Sequence, residues 1–423
     1  MNRLLAVAVG LAGGSTAVAQ PVAQSDAPRG AIVARNAAGK FEPLPERPKL
    51  EAERLLIVEP DATLGDVTGR VRLTSRADFL GLSPLPILET AVVLHKPGTA
   101  SLDVTLDRGR IELECAGATP AVVRLGFARQ QWTVTLTSAD AKVAVEVVGR
   151  WPAGTEFRAK PTPGYEPTVS AVLLQVRGTA TVATGTATFG LAAPPGPALL
   201  TWTSLEGRVP APTRLDALPD WADPTYRFPE PLAGKITGMK AAVAKYRALR
   251  NEQSDRATDA FLDSPNADER RIGLVAAGAE DDLKRLADGI TEAKDLEVWD
   301  FGITVLRHWL GRGPGQEQKF HRFLIDERRY STTDAAKLIR LLHGFTPRER
   351  ARPELYDVLI EYLRHDRAAF RNLAAWHLTR LAPAAPAVPF KANGSKADFD
   401  PVYTMWRGMI PAGTVPSQAT KSP

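Results

Sequence analysis

The chain has 423 residues, of which 44% are apolar and 24% charged, enough to bury a core in each of two domains and too polar for a polytopic membrane protein. The 53 Lys and Arg exceed the 48 Asp and Glu by +5, and that excess falls in the second half of the chain. One cysteine, Cys115, excludes an internal disulfide framework, so stability must come from burial.

The first nineteen residues read as an export signal. Arg3 supplies a basic start, Leu4 to Ala12 a short apolar run, and Ala17-Val18-Ala19 a small-x-small cleavage site. The expected cut lies between Ala19 and Gln20. Export points to the periplasm, the cell surface or the medium, and argues against nucleic acid as a partner. The apolar run is shorter than the roughly 20 residues that span a bilayer, and no later apolar stretch is long enough to span one, so the mature chain is expected to have no transmembrane span.

Residues 20–49 are rich in Ala, Pro and Gly and read as a linker, with a short strand at Ala31 to Val33. From 50 to 208 the pattern is that of a β-domain. Leu55 to Val58, Val67 to Leu73 and Ile87 to His95 are strand candidates. The run from Leu102 to Phe157 then alternates apolar and polar residues segment after segment, as consecutive antiparallel strands with one buried face do. Thr168 to Arg177, Ala180 to Thr184, Ala187 to Leu191 and Leu199 to Thr203 continue the meander. About a dozen short strands predict an all-β sandwich or roll. In this frame Trp132 and Trp202 point into the core. Cys115 is a small apolar filler beside Ile111 and Leu113, and Glu112 and Glu114 share the opposite face of their strand.

Residues 209–238 form a Pro- and Trp-rich connector whose Trp221, Tyr226 and Phe228 are expected to pin it against a domain. From 239 to 383 the period becomes helical. Asn266 and Glu269, Ser331 and Asp334, and Thr346-Pro347-Arg348-Glu349 are helix starts, and Gly344 is a stop. Residues 384–411 read as a loop and a short helix, and 412–423 as a disordered tail. The expected class is therefore multidomain β + α, with an N-terminal all-β sandwich or roll and a C-terminal all-α helical array.

Two resemblances can be read on these residues. DVTGRVRL, TLDRGRIELEC and WTVTLTSADAKVAVEVVGRWPAGTEF, between Asp66 and Phe157, are similar to the periplasmic β sensor domain of the FecR-like family. This implies an envelope β-module with a place in signal sensing. The chain departs from the family's regulators at its start, where an export signal stands in place of a cytoplasmic segment and a membrane span. YLRHDRAAFRNLAAWHLTRLAP, with SPNADERRIGLVAAGAEDDLKRL as a degenerate copy, resembles a HEAT-type repeat, with an irregular bundle as the alternative arrangement.

No chemistry is written in the motifs. The six histidines include no His-Glu-x-x-His and no pair four apart on one helix, so no metal is expected. There is no Gly-x-Ser-x-Gly elbow and no phosphate loop. Gly311 to Gly315 contains a proline and reads as a helix cap and loop. No cofactor is implied. Trp151, after Arg150 and before Pro152, is the aromatic expected at an exposed loop edge, and the two are the candidate ligand-binding residues. Arg364, Arg367 and Arg371, three and four apart, are expected to gather with Lys391 into a positive strip for an acidic partner. The reading that follows is an exported, non-enzymatic binding or scaffold protein of a bacterial envelope, with a protein or polysaccharide partner. The alternative is an envelope enzyme with a dispersed site where the β and α halves meet.

Overall fold

The computed structural model describes residues 20–78, 89–185, 187–254, 256–293, 295–382 and 394–416. The export signal, the cleavage-site residue Ala19, the first residues of the expected 87–95 strand, Lys391 and the end of the tail lie outside the described residues.

The first half is all β. Its strands are β1 Ala23–Ser25, β2 Ile32–Arg35, β3 Phe41–Pro43, β4 Lys49–Leu50, β5 Leu55–Val58, β6 Thr63–Asp66, β7 Val71–Arg76, β8 Thr90–His95, β9 Leu102–Cys115, β10 Ala121–Phe127, β11 Gln130–Leu136, β12 Lys142–Arg150, β13 Thr168–Arg177, β14 Thr179–Ala183, β15 Thr188–Ala192, β16 Pro197–Thr203 and β17 Thr213–Arg214. They make two sheets that share β9. One runs β4-β1-β6-β7-β9-β12-β13-β16-β17. The other runs β3-β2-β5-β8-β9-β10-β11-β14-β15. The start of β9 pairs with β8 and β10, and its end with β7 and β12. Gly109 lies between them at φ +103°, where a Cβ would stand 2.3 Å from the Glu89 carbonyl oxygen. Only glycine fits both demands.

The two sheets enclose one apolar core. Val104 and Leu106 of β9 meet Ile111 and Leu113 from its other half, with Val134, Val145 and Leu173 around them. Burying each such side chain is worth about 1.5–3 kcal/mol. Trp132 and Trp202 are in this core as expected, both edge-on to Phe127 with ring centroids 4.8 and 5.5 Å away. Cys115 is half-buried against the same cluster.

Residues 20–49 are not a linker. They carry β1 to β3 and the first residue of β4, and Val22, Ala23 and residues 31–34 are buried. Segments of two to four residues are too short to show an alternation. The expected strand Val67 to Leu73 is also corrected. Asp66 ends β6, and its carboxylate accepts the N–H groups of Thr68 (3.0 Å) and Val71 (2.6 Å), which folds a turn through Gly69 before β7 begins.

The second half is helical: α1 Glu230–Glu252, α2 Ala257–Leu262, α3 Ala267–Ala279, α4 Leu283–Thr291, α5 Leu296–Gly311, α6 Gln316–Asp326, α7 Thr332–His343, α8 Pro347–Arg350, α9 Pro353–Tyr362, α10 Ala368–Leu381 and α11 Lys396–Met409. Helix therefore starts nine residues before the expected 239, behind Pro229 as N-cap. The Thr346 capping box forms in both directions, but its helix stops after one turn, and α9 restarts at Pro353, which has no N–H to continue the ladder. At Asn266 only half the box forms, because Glu269 bonds Ser264 and Lys245 instead. The pairs α2–α3, α4–α5, α6–α7 and α9–α10 stack in order, with α3 on α5, α5 on α7 and α7 on α10.

The halves are sewn together along their length. Arg250 donates to the Gly30 carbonyl, and Arg247 and Arg250 pair with Glu59. β12 and the end of α5 touch backbone to backbone, with Gly149 against Gly311. Beyond β12, residues 151–165 cross onto α6 and α7: the Gly154 N–H donates to the Gly344 carbonyl (3.1 Å), and Phe157 stacks on His321 with centroids 4.3 Å apart.

Candidate functional site at the β–α junction

Antiparallel register lines up the outward side chains of β7, β9 and β12. Arg76 lies opposite Arg110, which lies opposite Glu146; Thr74, Glu112 and Ala144 form the next row, and Arg72, Glu114 and Lys142 the one after. Arg76, Arg110, Glu112 and Lys142 of this face are the floor of a cleft of about 550 Å³. The connector forms one wall. Trp221 is fixed there by packing with Ala144, Leu174 and Val176, and the Arg110 guanidinium lies 4.0 Å over its ring. Phe228 continues that wall, α1 supplies Ile236, Lys240 and Arg247 opposite, and Asp61 and Asp78 close one end.

The charges are organised in pairs. Lys142 bridges Glu112 (2.9 Å) and Glu114 (2.7 Å); Arg76 reaches Glu112 (2.9 Å) and Asp61; Lys240 reaches Asp61 at 2.9 Å. Burial alone would raise the Glu112 carboxyl, but its bonds to Arg76 and Lys142 outweigh that and hold it below the ordinary carboxylate value. Asp61 behaves alike: burial pushes it up, and Lys240 and Arg76 pull it further down. Both carboxylates are poised as ionised acceptors. A general acid needs the opposite shift. The floor can therefore present fixed donors and acceptors to a polar ligand while the aromatic wall offers it a ring face.

No family model matches this chain, and no curated protein or solved structure matches it at a significant level. Its function must be argued from the site.

The residues singled out by sequence fall elsewhere. Trp151 is buried, not exposed: 7% of its surface is accessible, and it belongs to the helical core. Its indole Nε1–H donates to the Leu310 carbonyl (3.0 Å), and its ring stacks on His343, centroids 5.5 Å apart. His343 is closed in turn by the Thr155 carbonyl at Nδ1 (2.9 Å) and by buried Glu317 at Nε2 (2.7 Å). Arg150 ends β12 in solvent, so the two neighbours face different surroundings.

The arginine strip is likewise corrected. Arg364 pairs with Asp400 (2.8 Å) and lies 3.8 Å over Tyr403. Arg367 donates to the carbonyls of Arg328 and Arg329. Arg371 is 4% exposed, not on a polar face, and donates to the carbonyls of His365, Asp366 and Gly394. Gln20 is exposed at the start of the described residues. Among the described residues no group of three or more His, Cys, Asp and Glu is placed to hold a metal, and no helix is long and apolar enough to cross a membrane.

The cleft residues Trp221, Arg110, Lys142 and Asp61 were not candidates from sequence. Trp221 gave a partial signal as an aromatic in the connector. The rest look like ordinary outward charges until the register brings them together.

Proposed function

We propose that the chain is an exported, non-enzymatic binding protein of a bacterial envelope and that its ligand is an anionic glycan segment held in the junction cleft. The observation that carries this reading is the cleft's composition: six basic and four acidic side chains line it together with Trp221 and Phe228. Paired charges in fixed positions suit the hydroxyls and carboxylates of an acidic sugar, and an aromatic face suits its ring. The net positive lining favours an acidic over a neutral chain. The paired, ionised state of Glu112 and Asp61 favours binding over hydrolysis. Export rests on the N-terminal signal, and a FecR-like sensing role and a HEAT-like second surface rest on the resemblances of the two halves.

Calorimetric titration of the full chain with an oligogalacturonide and with a neutral galacto-oligosaccharide of equal length tests the proposal. The acidic oligomer should bind, more weakly as salt rises, and Trp221→Ala or Lys142→Ala should weaken it at least tenfold. Equal binding of the neutral oligomer, or indifference to Trp221→Ala, would refute the ligand class. Release of new reducing ends would favour the enzyme reading instead.

A further inference from the structure

The helical array contains a second cavity, of about 350 Å³, lined by α4, α5, α6, α7 and α10. Its wall is apolar: Ile303, Leu306, Phe320, Leu324, Leu338 and Leu373 all face it and are each at most 5% exposed. An apolar wall of this kind gains buried area and dispersion contacts when an apolar chain covers it. At about 30 Å³ per water-sized group the cavity has room for about a dozen such groups.

One end has a different chemistry. α10 starts there, with Arg367 as N-cap, no side-chain hydrogen bond to its first turn and no acid within that turn. Its first residues, Ala368 and Ala369, line the cavity, as does Arg371. Arg371 is 4% exposed, and its Nε has no hydrogen-bond partner among the described residues. The Arg367 guanidinium, held by two backbone carbonyls, lies 4.6 Å over Tyr330 at the same end. Arg328 beside it is paired with Asp288; Asp366 is the one carboxylate on the lining, a solvent-exposed side chain near both Arg371 and Lys396, the latter at 3.6 Å. Two guanidinium groups answered by carbonyls, together with the positive end of a 14-residue helix, thus open onto an apolar chamber.

We propose that this cavity binds a single-chain amphiphile with an anionic head, the chain lying among the leucines and phenylalanines and the head at Arg367, Arg371 and the start of α10. The site is separate from the junction cleft, and neither proposal depends on the other. A carboxylate and a phosphate monoester share the head chemistry, so both are probes.

The full chain is titrated with laurate, lauryl phosphate and dodecanol. Laurate or lauryl phosphate should bind one to one, dodecanol at least tenfold more weakly, and each methylene removed from the acid should weaken binding about fourfold. Ile303→Trp fills the chamber and should abolish binding with the circular dichroism spectrum kept. If that variant does not fold, Ala287→Trp at the half-buried edge of the cavity serves the same end. Arg367→Gln should reduce binding of the two anions at least tenfold and leave dodecanol unchanged. Failure of both anions to bind, equal binding of dodecanol, or wild-type binding in the blocked variant would overturn the proposal.

Discussion

Replacing Trp151 separates a structural role from a ligand-binding one. The indole caps α5. The Leu310 carbonyl would normally accept the N–H four residues on, but that residue is Pro314, which has none, and Trp151 Nε1–H takes its place at 3.0 Å. Trp151→Phe removes the donor and keeps most of the ring, so it should cost about 1–3 kcal/mol for the orphaned buried carbonyl. Trp151→Ala also empties the space between His343 and Tyr165, whose centroids lie 5.5 and 4.8 Å from the indole, and should cost about 3–5 kcal/mol. Urea unfolding followed by circular dichroism measures both. Because the ring is covalently part of the β half and packs in the helical core, the strand and helix signals should shift together. A loss below about 1 kcal/mol in Trp151→Ala, or a shift of the helical signal alone, would show that the indole does not join the two halves. Binding in the junction cleft should survive both substitutions.

Gly149→Ala would place a Cβ 2.1 Å from the Gly311 carbonyl oxygen, and neither backbone can yield cheaply, so thermal unfolding should show a loss of about 1–3 kcal/mol; Gly190→Ala, with nothing within 4 Å, is the neutral control, and equal behaviour of the two would refute the contact. Burial pushes His308 and His377 down to about 4 from an ordinary 6.5, with neighbouring arginines adding to the effect. The folded chain then binds fewer protons than the unfolded one between those values, so stability present above pH 6.5 is lost as pH falls toward about 4, by up to about 3 kcal/mol for each histidine. Urea midpoints from pH 7 to 4 should fall in the wild type and fall less in His308→Gln and His377→Gln; a flat wild-type profile would refute the buried neutral state.

Strands with a clean alternation were legible almost to the residue. In β11, Trp132, Val134 and Leu136 are buried in the core and Thr133 and Thr135 between them are only half-buried, as the alternation predicts. Elements without that contrast were not. β1 and β4 are too short to show a period, and α6 offers Phe320 and the cluster Phe323, Leu324 and Ile325 against a polar background. Arginine was the least legible residue. The sequence pattern puts Arg364 at the end of one helix and Arg367 and Arg371 on the polar side of the next, but Arg371 is buried, and Arg364 and Arg367 both lie in the break between α9, which ends at Tyr362, and α10, which begins at Ala368. A guanidinium has five N–H donors: at Arg371 the carbonyls of His365 and Asp366 in that break accept them, and at Arg367 those of Arg328 and Arg329 after α6 do.

The junction cleft was illegible for a different reason. Its floor is assembled across strands far apart in sequence, from Arg76, Arg110, Glu112 and Lys142, and only register decides that they meet. That register is fixed by apolar residues. Ile111 and Leu113 are fully buried between the sheets, and they alternate with Arg110, Glu112 and Glu114 along β9. A slip of one residue between β9 and its neighbours would turn the leucine and isoleucine into the cleft and three charges into the core. Unpaired buried charges cost several kcal/mol each, far more than any ligand contact at this floor returns. The chemistry of the cleft therefore needs no constraint of its own: whatever holds the sandwich core in register also holds Lys142 between Glu112 and Glu114.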